Sequence, residues 1–205
     1  MKRTVLSFVF LLVAATPSFA QGVALGVKGG INIASASTTQ PVVESGKESA
    51  WLFHAGAVTD IALGSRFSIQ PQLLIGRKGV TFEAGDHTHA ITLTSLDLPI
   101  LAVYKPAGGF SLGVGPNFGV NLSGTNVTSG AITDTHTYEF NGAIGDFKRF
   151  DMGVTVMGGY EHPNGLFATV SYLKGITDDL INFPGVDWSH DVLSVSVGYM
   201  FKKRP

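Results

Sequence analysis

The chain has 205 residues, of which only 14% are charged, and it contains no cysteine; soluble domains average roughly 25% charged residues. Fourteen Lys and Arg stand against fifteen Asp and Glu, with no basic stripe interleaved with aromatics, which excludes nucleic acid as a partner. The missing cysteines exclude disulfides and cysteine lipidation.

Residues 1–20 read as a signal peptide. Lys2 and Arg3 give a positive start, residues 5–15 form an apolar run too short to cross a bilayer, and Ser18, Phe19 and Ala20 form a small-x-small cleavage site. The mature chain is then a single domain, 21–205. Loss of Lys2 and Arg3 leaves twelve cations against fifteen acids, a formal net charge of −3. Beyond residue 20 no run reaches the eighteen or so apolar residues of a membrane helix. Low charge and 26 glycines instead suit a sheet facing lipid on one side.

Period-two alternation marks eight strands. The first, 22–34, sets Val23, Leu25, Val27, Ile31 and Ile33 against Ala24, Gly26, Lys28, Gly30 and Asn32. A polar loop is expected at 35–50. The second, 51–63, turns Phe53, Ala55, Ala57, Thr59 and Ile61 outward and His54, Gly56, Val58 and Asp60 inward. The third, 67–82, alternates Phe67, Ile69, Pro71, Leu73 and Ile75 with Ser68, Gln70, Gln72, Leu74, Gly76 and Lys78. Pro71 withholds a ladder donor, so weak pairing or a bulge is expected there.

After a polar loop at 85–89, the fourth strand reaches Tyr104, with Leu96, Leu98, Ile100 and Ala102 opposite Asp97, Pro99, Leu101 and Val103. The fifth, 110–122, is the clearest: Phe110, Leu112, Val114, Pro116, Phe118, Val120 and Leu122 against only small or polar residues. Residues 123–149 show little periodicity and read as a loop. The sixth strand, 150–161, sets Met152, Val154, Val156 and Tyr160 against Asp151, Gly153, Thr155, Gly159 and Glu161. The seventh is 166–174, and 175–190 connects it to the eighth, 192–201, whose outward set is Leu193, Val195, Val197, Tyr199 and Phe201.

Connections alternate long and short, the short ones at 64–66, 105–109 and 162–165. That spacing predicts an all-β fold, an eight-stranded antiparallel up-and-down transmembrane β-barrel in the outer membrane, with both termini periplasmic and four loops outside. Aromatics fall in two groups, Phe67, Tyr104, Phe110, Tyr160, Tyr199 and Phe201 by the short turns, and Trp51, Phe53, Phe82, Phe150 and Tyr172 toward the loops. Two interfacial girdles account for both. A soluble lipocalin-like barrel would place apolar residues inward and charges outward.

With these residues placed, the chain resembles the eight-stranded outer-membrane protein β-barrel domain family, whose members are often labelled porin family proteins. The resemblance rests on GVKGGIN at 26–32, FSIQPQLLIGRKG at 67–79, LDLPILAVYK at 96–105, GFSLGVGPNFGVNLSG at 109–124 and the closing SVGYMF. It implies residence in outer-membrane lipid and insertion by the outer-membrane assembly machinery, which in such proteins reads a terminal strand ending in Phe. The tail at 202–205 after Phe201 departs from that pattern. The family brings no catalytic residues and no cofactor.

Inward charges are the first candidate site. Lys28 and Lys78 are placed to pair with Asp60, Asp97 and Asp151, and a paired network plugs a barrel this narrow; an unpaired one leaves a narrow porin-like channel for small solutes. His87 and His89 beside Asp86 are too few for a closed metal site. Ser189, His190 and Asp191 are consecutive, so an extended backbone points neighbours to opposite faces and gives no triad. A lipid-modifying enzyme built from separate strands is the remaining catalytic reading, and no enzyme is the expectation. The loops, held on a rigid scaffold, suit a structural or surface-binding role toward an extracellular ligand.

Overall fold

The computed structural model describes residues 22–38, 47–84, 87–130, 133–138, 140, 147–177 and 188–201. The expected signal peptide and the basic tail lie outside them. The described residues form nine strands: β1 (Val23–Thr38), β2 (Lys47–Ala62), β3 (Phe67–Ala84), β4 (His87–Tyr104), β5 (Phe110–Ser129), β6 (Asp134–Tyr138), β7 (Phe150–Glu161), β8 (Leu166–Gly175) and β9 (Trp188–Phe201).

Eight of them form a closed antiparallel ring. Pairings run β1–β2, β2–β3, β3–β4, β4–β5, β5–β7, β7–β8 and β8–β9, and β9 returns to β1 from Leu25↔Phe201 to Thr38↔Trp188. This is the up-and-down transmembrane barrel that the spacing predicts, and closure leaves no strand edge to be satisfied in lipid. The three short connections fall where expected. Gly109 and Gly165 turn the chain with φ of 84° and 96°, a region that L side chains rarely adopt.

The phasing of side chains also follows the alternation. Leu25, Val27, Phe53, Leu73, Ile75, Leu112, Val114, Val156, Val170, Val195 and Val197 are exposed on the outer face, while Lys28, Asn32, His54, Asp60, Gln70, Gln72, Lys78, Asn117, Asn121 and Asp151 are buried inside. A polar interior under an apolar surface is the reverse of a soluble barrel. Near the short turns the outer aromatics pair, Phe67 with Tyr104 at 5.1 Å, Phe110 with Tyr160 at 5.2 Å and Tyr199 with Phe201 at 5.4 Å between centroids.

The principal correction concerns 123–149. β5 runs on to Ser129, and β6 folds back on it from Gly124↔Tyr138 to Thr128↔Asp134. The cause is a β-bulge: Asn121 pairs with Ser95 and Ser123 with Thr94, so Leu122 is an extra residue. A bulge reverses the inward and outward sense, so the alternation ends at Leu122 although the ladder continues. Similarly β2 begins at Lys47, with a register shift between Ser49 and His54; β4 begins at His87, pairing with Ala84, so the expected loop at 85–89 is shorter; and β1 and β9 extend to Thr38 and back to Trp188.

Strand lengths are unequal, and that shapes the molecule. β3, β4 and β5 have 18, 18 and 20 residues, against 12 and 10 for β7 and β8, where about 9–11 residues suffice to cross a bilayer. The wall is therefore tall on the β3–β5 side. Above the level of Ile75 and its partner Leu96 its polarity inverts. Outward positions there are Arg77, Thr81, Glu83, Thr92, Thr94 and Ser123, whereas the inward ones, beyond Lys78 and Ser95, include Val80, Phe82, Ile91 and Leu93 beside His89. Phe82, expected in the outer girdle, instead points inward and stacks on His89 at 5.1 Å. The raised wall has the polarity of a water-soluble sheet.

Candidate functional site

The lumen is the candidate site, and it has three levels. At its centre Lys78 Nζ lies 2.7 Å from Asp97 Oδ1 and 3.0 Å from Asp151 Oδ1. Ser95 Oγ and Asn117 Nδ2 donate to Asp97 at 2.7 and 3.1 Å. Strands β3, β4 and β7 thus meet at one cation, and Asn117 of β5 braces Asp97. Asp151 fits because its cross-strand partner is Gly119; a Cβ there would collide with the Asp151 carboxylate. On the opposite wall Ser194 Oγ donates to Asn32 Oδ1 at 2.7 Å, and His54 Nε2 lies 2.9 Å from Ser196 Oγ.

Toward the short turns, Asp60 is held by Lys105 at 2.7 Å and accepts from Ser68 Oγ at 3.1 Å and Gln70 Nε2 at 3.0 Å. A cavity of about 540 Å³ opens at this end, bounded by Lys28, Asp60, Lys105 and the turn residues Pro106 to Gly109. A second cavity, of about 60 Å³, lies in the middle, around His54, Lys78 and Asp97.

Toward the loops, Val80, Ile91, Leu93 and Phe147 form a buried apolar cluster, with Phe82, Tyr138 and Phe140 packed against it. Tyr138 meets Phe147 edge-on at 4.9 Å, and the Arg149 guanidinium sits over the Phe140 ring at 5.5 Å. Tyr138, Phe140 and Phe147 therefore turn inward and cap the lumen.

Five charges were expected to form one network, and the structure divides them. Lys78, Asp97 and Asp151 come together. Asp60 instead takes Lys105 from the turn, a partner that strand alternation does not reveal. Lys28, expected to pair with one of these acids, makes no ion pair or hydrogen bond among the described residues; its neighbours across the wall are Gly56 and Gly198, which present no side chain. The outward set Leu193, Val195, Val197, Tyr199 and Phe201 is exposed on β9 as expected.

Among the described residues, His89, His190 and Asp191, weighed for metal or catalytic chemistry, meet other partners. No group of three His, Asp or Glu is placed to hold a metal; His89 is taken up by Phe82 and by Thr128 Oγ1 at 3.1 Å. Asp191 pairs with Lys174 at 2.9 Å, and His190 is buried beside Phe147. The His54–Ser196 contact faces the lumen, and His54 Nδ1 has no partner, so it lacks the orienting acid of a triad.

A closed ring of lipid-facing strands around a polar interior defines an integral outer-membrane barrel protein. The chain belongs to the outer membrane protein beta-barrel domain family, whose model matches residues 19–180. Among solved structures it is similar to Neisserial surface protein A, at 13% identity and a TM-score of 0.54 over 88% of this chain and all of that one. It is also similar to the outer membrane protein OprG from Pseudomonas aeruginosa, at 13% identity and a TM-score of 0.51 over 89% and 97%. These likenesses are of fold. No curated protein sequence matches the chain.

Proposed function

We propose that this protein is a non-conducting outer-membrane barrel whose raised β3–β6 wall and loops present a binding surface outside the cell. The observation that carries the reading is the inversion of polarity above Ile75 and Leu96. Tall strands with a polar outer face and their own apolar core are unnecessary for crossing lipid, and they suit a rigid platform held in water. The lumen supports the non-conducting half: ion pairs close its middle and Phe147 with Tyr138 caps its loop end. In this orientation both termini and the short turns are periplasmic. The outward residues of β9, ending at Phe201, form the strand offered to the assembly machinery.

The test is removal of 130–146, which includes β6, with heat-modifiable gel migration confirming that the barrel assembles. Loss of attachment of whole cells to host or abiotic surfaces supports the binding role. An assembled barrel with every surface phenotype unchanged removes it. A narrow channel is the second reading, favoured by the 540 Å³ vestibule, and it requires both the central ion pairs and the cap to move aside.

A further inference from the structure

We infer that the vestibule at the short-turn end of the lumen is a binding site for a small anion bearing a carboxylate or phosphate group, held by Lys28 and Thr169. Both residues line the 540 Å³ cavity, whose size falls in the range of small-molecule sites, about 300–1,000 Å³. Lys28 is 6% exposed and Thr169 8%. Thr169 Oγ1 has no hydrogen-bond partner, and Lys28 makes neither hydrogen bond nor ion pair among the described residues. Three ammonium donors therefore reach the vestibule without a protein acceptor, and Thr169 Oγ1, buried in its wall without a partner, joins them by a turn about χ1.

The local pairing around Lys28 makes this an anion site rather than merely a wet one. The nearby carboxylates are engaged with groups other than Lys28, including Asp151 on Lys78 and Glu161, which also lines the vestibule. Asp60 has Lys105, Ser68 and Gln70, and Asp97 has Lys78, Ser95 and Asn117. Over the lumen as a whole Lys28, Lys78 and Lys105 balance Asp60, Asp97 and Asp151, but Lys28 touches none of these acids. Its charge is therefore locally unmatched between the vestibule and the small central cavity, which it also lines. Water satisfies donors but leaves the buried charge uncompensated, and an unpaired buried cation is costly. A small anion supplies both, and the open turn-side end admits it.

The experiment is titration of the full-length, detergent-folded protein with sodium phosphate and, separately, sodium succinate at constant ionic strength, read by calorimetry and by NMR shifts. Saturable one-site binding of either probe is expected. Phosphate alone would assign a phosphorylated ligand, succinate alone a carboxylate, and both together a general small-anion site. Lys28→Met should weaken binding about tenfold or more, as loss of a charge-assisted hydrogen bond does, with Lys28→Arg retaining it and Thr169→Val weakening it less. Lys28→Met orphans no partner, so folding is preserved and is checked by gel migration. Lys174→Gln, outside the vestibule, should bind as wild type. Absence of saturable binding by both probes, or unchanged affinity in Lys28→Met, overturns the proposal. Binding is read independently of conductance, so an open lumen would explain neither outcome.

Discussion

Lys78 on β3 reaches across to Asp97 on β4, placing Nζ 2.7 Å from Oδ1, with both side chains almost wholly buried. The contact bridges neighbouring strands several residues apart along the barrel, and Asp151 on β7 closes the same cation from the other side at 3.0 Å. Two acids share one base, so the cation is the member that cannot be lost alone.

Lys78→Met should therefore destabilise the barrel by about 3–5 kcal/mol, the cost of stranding buried charges without their partner. Urea unfolding in detergent micelles, followed by the gel shift, measures it. Replacing all three, with Asp97→Asn and Asp151→Asn added, should recover most of the loss, because no charge then remains unpaired. Wild-type stability in the single variant would show that the triad holds nothing together.

Gly119→Ala tests the space that makes the triad possible. The new Cβ meets the Asp151 carboxylate, so overpacking of about 1–3 kcal/mol is expected. The effect should shrink in an Asp151→Gly background, where the carboxylate is gone. Equal losses in both backgrounds would assign the cost to the backbone instead.

The lipid boundary can be mapped by charge. Val156, exposed in the middle of β7, should tolerate arginine poorly, with Val156→Arg costing about 2–4 kcal/mol as cations do near the bilayer midplane. Arg77 is also exposed and outward but stands in the raised wall, so Arg77→Leu should change stability by no more than about 0.5 kcal/mol. A stabilisation well beyond that would place Arg77 in lipid and contradict the boundary at Ile75.

Phe147→Ala should open the cap without dismantling the barrel. Truncating a buried Phe costs about 3–5 kcal/mol, and here the loss is local to the cluster of Val80, Ile91 and Leu93. Hydrogen exchange should accelerate in β6 and in the upper parts of β3 and β4, with gel migration unchanged. Uniform exchange across all strands would mean that the cap and the barrel unfold as one unit.

Where one period held from end to end, the sequence was sufficient. Residues 110–122 and 150–161 alternate without a break, and the outward residues found there are those expected. Legibility failed at Leu122, where one bulged residue reversed the phase, and near 50–53, where a register shift obscured the start of β2. It failed again at Phe82, since an aromatic toward the loops is equally consistent with a girdle and with a cap. Among the lumen charges, strand alternation gave the correct face for all five. Pairing depends on reach between strands and on the turn residue Lys105, neither of which a linear pattern carries. Lys28 was legible as inward but not as unpaired, because its neighbour Gly56 depends on the β1–β2 register and Gly198 becomes its neighbour only after the ring closes.

Closure of the lumen is tested most directly by planar-bilayer recording of the purified full-length protein. With Lys78, Asp97 and Asp151 paired and Phe147 in place, wild type should show no stable openings, whereas Lys78→Met combined with Phe147→Ala should show brief, noisy ones. Sustained, uniform openings in wild type would contradict a closed barrel.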